Sequence, residues 1–76
     1  MSNVLLPELA ENVNSAVITY WHFEVGDDVK EGDDLVEMAT DKATFNVPAA
    51  YSGKLTKKFF NEGDTVKVGE TLASIE

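Results

Sequence analysis

Apolar and polar positions alternate in short runs along the chain. "AVITYWHF" at 16–23 is rich in β-branched and aromatic residues. Read with period two, it sets Ile18, Tyr20 and His22 against Val17, Thr19, Trp21 and Phe23. "KLTKKFF" at 54–60 reads as a second such strand, with Lys54 and Lys58 expected to face water. Two further β-type segments, Leu35–Met38 and Ala43–Val47, flank a short break in "EMATDKATFNV". Gly-Asp pairs at 26–27, 32–33 and 63–64 punctuate the strands: glycine permits positive φ and aspartate bonds to nearby backbone. Pro7 and Pro48 fit strand ends or edges, because proline cannot donate to a ladder. No window of helical length carries an apolar stripe, and the most helix expected is a single turn near Glu8–Asn12. Short strands with regular turn chemistry predict an all-β sandwich or barrel.

The pattern also repeats. "FEVGDDVKEGDDLVEM" at 23–38 matches "FNEGDTVKVGETLASI" at 60–75, pairing Phe23 with Phe60, Gly26-Asp27 with Gly63-Asp64 and Leu35 with Leu72. Ser15 and Thr19 extend the match back to Ser52 and Thr56, at a constant offset of about 37 residues. Two copies predict two similar halves about an approximate twofold axis. Residues 39–42 follow the end of the first copy, and Glu76 ends the second. A twofold therefore predicts that the break around Lys42 and the chain termini lie at related, opposite ends.

Composition narrows the function. The 76 residues suffice for one small domain, residues 1–76, burying only about 60% of the surface its unfolded chain exposes. A hydrophobic content of 43% supports a folded core. Net charge is −8, with six lysines and no arginine, which argues against nucleic acid and against anionic membrane surfaces. Apolar runs are too short to span a bilayer and no signal-peptide pattern opens the chain. Without cysteine there is no disulfide and no thiolate metal site. His22, the only histidine, lacks metal-binding company. The Asp27-Asp28 and Asp33-Asp34 pairs lack the glycine and distal glutamate of a calcium loop and read as solvated turn residues. No nucleophile–base pair or phosphate loop suggests an intrinsic enzyme. Trp21 and Phe60 read as core or core-edge residues, Leu35 and Leu72 as buried ones.

Lys42 remains. By charge and spacing alone it reads first as an ordinary solvated lysine on a turn. Its surroundings change that. "GDDVKEGDDLVEMATDKATFNVPAAYSGKLTKKFFNEGDTVKVGETLASIE" resembles a lipoyl domain of a 2-oxo acid dehydrogenase complex, of the dihydrolipoamide acyltransferase component. The likeness runs from "VLLPELAENV" to "LASIE", centred on Asp41-Lys42-Ala43 between two Gly-Asp blocks. A bare Asp-Lys-Ala tripeptide is weak; at this spacing, inside this repeat, it is specific.

The resemblance implies a flattened barrel of two four-stranded antiparallel sheets, with Lys42 at a hairpin tip. It implies lipoic acid joined to Lys42 by an amide, with Asp41 and Ala43 flanking it for recognition by a lipoate-attaching enzyme. Asp41 is also expected to support a type I turn through its side chain, and Ala43 to keep the tip uncrowded. Such a swinging arm visits a thiamin-diphosphate-dependent decarboxylase, an acyltransferase domain and dihydrolipoamide dehydrogenase. Tethering raises its effective concentration at each site, and the prosthetic group supplies the chemistry. Amide formation would take the charge from −8 to −9. The acidity either steers the carrier toward basic entrances on its partners or only keeps it soluble. The parent complex is expected to be the pyruvate one, the domain a monomeric N-terminal part of a longer acyltransferase. Its compartment is expected to be bacterial cytoplasm or mitochondrial matrix.

Some residues depart from the family pattern. Ala39 stands where glutamate is common, which leaves open which acidic contacts guide the partners; Glu37 is no clear substitute. Leu9-Ala10-Glu11-Asn12 replaces a glycine-rich stretch. The nearest rival is a biotinyl carrier domain, which shares the fold but surrounds its lysine as Met-Lys-Met. A rival of another class is an unmodified β interaction module.

Overall fold

The computed structural model describes residues 2–8 and 13–76. Eight strands follow in order: β1 Ser2–Leu5, β2 Ser15–Trp21, β3 Asp28–Val29, β4 Asp34–Ala39, β5 Thr44–Pro48, β6 Gly53–Lys58, β7 Thr65–Lys67 and β8 Thr71–Ile75. They form two antiparallel four-stranded sheets, ordered β1-β8-β6-β3 and β5-β4-β2-β7. No helix occurs among the described residues. The rest of the turn expected near Glu8–Asn12 lies outside them, and Glu8 itself is exposed and non-helical. Pro48 ends the edge strand β5, and Pro7 follows β1.

The sequence repeat becomes a structural twofold that exchanges the sheets. β2 pairs with β7 of the second half, while β6, its equivalent, pairs with β3 of the first. The halves are thus interlocked rather than side by side, so neither can bury its apolar face alone. Turn bonds recur in equivalent pairs. Gly26 N–H donates to Leu55 O and Gly63 N–H to Ile18 O, both at 2.7 Å. Asp27 caps the N–H of Glu24 and Asp64 that of Asn61. Gly26 and Gly63 have φ of 101° and 94°, a region costly for any residue with a Cβ.

Inside the sandwich lie Leu6, Ile18, Leu35, Met38, Leu55, Leu72 and Ile75, each almost wholly buried, with Val36 and Val66. Trp21 is buried and Phe60 packs partly buried against this core. Period two alone does not account for the pattern. β2 bulges between Ile18 and Tyr20, so Ala16, Ile18 and Trp21 point inward while Tyr20 turns out to 55% exposure. A bulge re-aims every side chain beyond it. β6 bulges at the equivalent place, between Leu55 and Lys57. That corrects one expectation. Lys54 does face water, but Lys58 takes the place that Trp21 holds in the first copy. Its side chain is only 17% exposed, its amine lies 5.0 Å from the Trp21 ring centroid and 3.6 Å from Glu24 Oε2. A lysine stem covers apolar surface well while its charge stays near the edge.

The molecule measures 32 × 19 × 18 Å. Register relates its ends. Ala39, beside the β4–β5 turn, is level with Val17, and β2 runs away from there. The chain beyond β2 brings Gly26 to Leu55, which is level with Ile75 at the C-terminus. Ile75 pairs with Ser2, so the first described strand and the last lie together, away from the β4–β5 turn.

Candidate functional site

β4 and β5 form a hairpin whose ladder runs Glu37–Asn46, Met38–Phe45, Ala39–Thr44. Val36 and Met38 are fully buried on β4 and Val47 nearly so on β5, which fixes the hairpin stem to the core. The ladder shifts between Asp34 and Val36, and this irregularity lets consecutive Leu35 and Val36 both be buried. Residues 40–43 then close the hairpin. Thr40 N–H donates to Ala43 O at 2.8 Å. Asp41 and Lys42 stand between them, both exposed, with Ala43 exposed beside them. The structure therefore brings the three sequence-chosen residues together at one projecting bend on a rigid stem.

Thr40 is the residue that the sequence reading missed. Its hydroxyl accepts the N–H of Lys42 at 3.3 Å and of Ala43 at 3.2 Å, and donates to Ala43 O at 3.3 Å. The expectation that the Asp41 side chain supports the turn is not met: its carboxylate makes no hydrogen bond among the described residues. A threonine preceding an aspartate is common enough that no sequence signal singled it out. Its role depends on both strands being placed.

Surroundings of the tip are mixed. Ala39, Thr40 and Asp41 share an open groove with Val13, Asn14, Val17 and Thr65. Glu37 is tied down, its carboxylate accepting the Thr19 hydroxyl at 2.6 Å on the outer face. The one ion pair among the described residues is Lys58–Glu24, so no described carboxylate pairs with the Lys42 amine. His22 meets Asn46 Oδ1 at 2.9 Å and the Tyr20 ring edge-on, and no group of three metal-ligating side chains exists among the described residues. Asp27 and Asp33 cap backbone N–H groups, a structural use of both turn aspartates.

An accessible primary amine on a stiff tip, beside an open groove, is suited to being acylated by another protein. The fold and site thus define a scaffold that carries a covalently attached group. The chain belongs to the biotinyl- and lipoyl-attachment family, whose description is "Biotin-requiring enzyme", matched over residues 2–75.

Relatives and structures refine this. Over 75 residues the chain is 41% identical to the dihydrolipoyllysine-residue succinyltransferase component of the 2-oxoglutarate dehydrogenase complex of Staphylococcus saprophyticus, covering 99% of this chain. It is 38% identical over 68 residues, 90% of this chain, to the acetyltransferase component of the pyruvate dehydrogenase complex of Acholeplasma laidlawii. The chain spans 18% and 12% of the length of these two relatives. The lipoyl domain of the 2-oxoglutarate dehydrogenase complex of Azotobacter vinelandii superposes with a TM-score of 0.77 at 31% identity, covering 97% of this chain and 94% of that one. Urea carboxylase of Kluyveromyces lactis superposes with a TM-score of 0.79 at 28% identity, over 100% of this chain and 6% of that one. Shape alone therefore does not separate the named neighbours. In this chain Asp41 and Ala43 flank the lysine, not the methionines expected of a biotinyl domain.

Proposed function

We propose that Lys42 is the attachment point for lipoic acid and that the domain serves as the swinging arm of a 2-oxo acid dehydrogenase complex. The observation that carries the reading is the exposed Asp41-Lys42-Ala43 bend on a hairpin whose stem is locked into the core. The group fits. Ala43 adds no bulk beside the amine, and no described carboxylate holds it down. Bound lipoate supplies a redox-active disulfide able to accept an acyl group and pass it on. The protein's own part is positional. A rigid barrel holds Lys42 forward, so the tip enters a partner's site while the body stays outside, and tethering keeps its local concentration high.

The partners in this reading are a thiamin-diphosphate-dependent decarboxylase, an acyltransferase domain, dihydrolipoamide dehydrogenase and the lipoate-attaching enzyme. Residues 1–76 would be a monomeric, non-catalytic domain at the N-terminal end of a longer acyltransferase. Bacterial cytoplasm or mitochondrial matrix follows from the family resemblance alone, and fractionation of the native host tests it. The pyruvate expectation has less support than 2-oxoglutarate. The succinyltransferase relative is 41% identical over 75 residues, and the acetyltransferase one 38% over 68. We therefore put 2-oxoglutarate first and pyruvate second.

Two measurements decide. Incubation with lipoate, ATP and a lipoate ligase should add one lipoyl mass, and peptide mapping should place it on Lys42. A biotin adduct on Lys42 in the native host would end the lipoyl reading. The loaded domain, offered to purified decarboxylases, should be acylated faster with 2-oxoglutarate than with pyruvate; the opposite order restores pyruvate.

A further inference from the structure

We infer that Thr40 is a positioning residue for acylation at Lys42, an inference that rests on the carrier reading above. A hydroxyl has one proton and two lone pairs, and all three are engaged here: the proton toward Ala43 O, the lone pairs toward the N–H groups of Lys42 and Ala43. With the Thr40 N–H to Ala43 O bond, four contacts bind one residue across the bend. The side-chain bonds are long, 3.2–3.3 Å, so each is weak alone. Together they set the backbone direction from which the Lys42 side chain departs. No other side chain among the described residues hydrogen-bonds within residues 40–43.

Orientation matters because of the reaction. Lys42 Nζ attacks the carbonyl carbon of an acyl adenylate formed from ATP. A C–N amide bond forms, the C–O bond to phosphate breaks, AMP leaves and the ammonium gives up two protons to solvent. No electrons are transferred. The ligase must meet the amine in a reactive pose, and a bend already in shape avoids ordering it at each encounter. Loss of the hydroxyl leaves the exposed Lys42 and Ala43 N–H groups to water. The barrel remains folded while the bend samples other conformers. Thr40 acts through Lys42 and does not itself touch the reacting atoms.

The test compares the 76-residue chain with Thr40→Val, which keeps the shape without the hydroxyl, and with Thr40→Ser, which restores it. Using lipoate, ATP and a lipoate ligase, kcat/KM for attachment should fall about tenfold in Thr40→Val, equivalent to ~1.4 kcal/mol. Thr40→Ser should stay within about threefold of the parent. Amide exchange at Lys42 and Ala43 should quicken in Thr40→Val, while exchange at Met38 does not change. Equal attachment rates for Thr40→Val and the parent, or a Thr40→Ser variant as slow as Thr40→Val, would overturn the inference and leave the carrier reading standing. A parent chain that takes no lipoyl group overturns both.

Discussion

Leu35 and Leu72 occupy equivalent places in the two halves, and truncating each to alanine tests the twofold where it matters energetically. Both are fully buried, and their carbonyls accept equivalent bonds, from His22 N–H and Phe59 N–H, at 3.0 Å each. Removing three carbons from such a site loses their transfer free energy and leaves a cavity that the sheets only partly close, costing about 2–5 kcal/mol. A domain of this size has roughly 4–11 kcal/mol of total stability, so either variant should be close to its limit. Urea unfolding followed by Trp21 fluorescence reads the effect, with the midpoint falling and the slope m unchanged. Heating should show a drop on the order of 10–30 °C. Their surroundings differ in detail, with Val36 and Met38 following Leu35, but Ala73 and Ile75 following Leu72. The two losses should nevertheless agree within about 1 kcal/mol, because the same ladder irregularity buries both. A variant within about 0.5 kcal/mol of the parent would show that the core has been misplaced. A gap between the two above about 2 kcal/mol would show that the twofold governs backbone but not packing.

Lys42→Arg should abolish lipoyl attachment, since arginine cannot form the amide, and shift stability by less than about 0.5 kcal/mol at an exposed bend; a modified Lys42→Arg chain would refute the site. Lys58→Ala should cost about 1 kcal/mol and change Trp21 emission, because the stem covers the ring, while Lys58→Met should recover most of the loss. Little of that loss comes from the ion pair, as Glu24 is largely exposed. Gly53→Ala should destabilise by about 1–3 kcal/mol. Gly53 has a φ of 154°, and a Cβ there would lie 2.9 Å from Ile75 Cγ2 and against the Glu76 carbonyl. Unchanged melting would mean that the C-terminus is not held there.

How far the sequence carried depended on how local each feature is. The strands read at 16–23 and 54–60 form over 15–21 and 53–58, and the arms read at 35–38 and 43–47 form over 34–39 and 44–48; these and the glycine-aspartate turns were legible because alternation and turn chemistry are properties of neighbouring residues. The bend at Lys42 was legible from the break between two β runs. The bulges were not. Whether Tyr20 or Trp21 turns inward depends on β2 carrying one residue more than its partner across the bulge, and no pattern within β2 records that. Lys58 misleads for the same reason: a charged residue in an alternating strand reads as solvent-facing until the bulge places it over Trp21. The sequence points to Asp41 for the task that Thr40 performs, since a turn's hydrogen bonds depend on backbone directions that both strands set.

By itself the sequence determined the all-β class, the duplicated half and the exposed lysine between aspartate and alanine. Those follow from residue chemistry and spacing, which any single chain displays. Tertiary structure alone decided that the halves exchange strands, that four ladders slip in symmetric pairs and that one threonine hydroxyl ties the bend. These arise from pairing between residues distant in the chain, where a one-residue shift reverses which side chain meets the core.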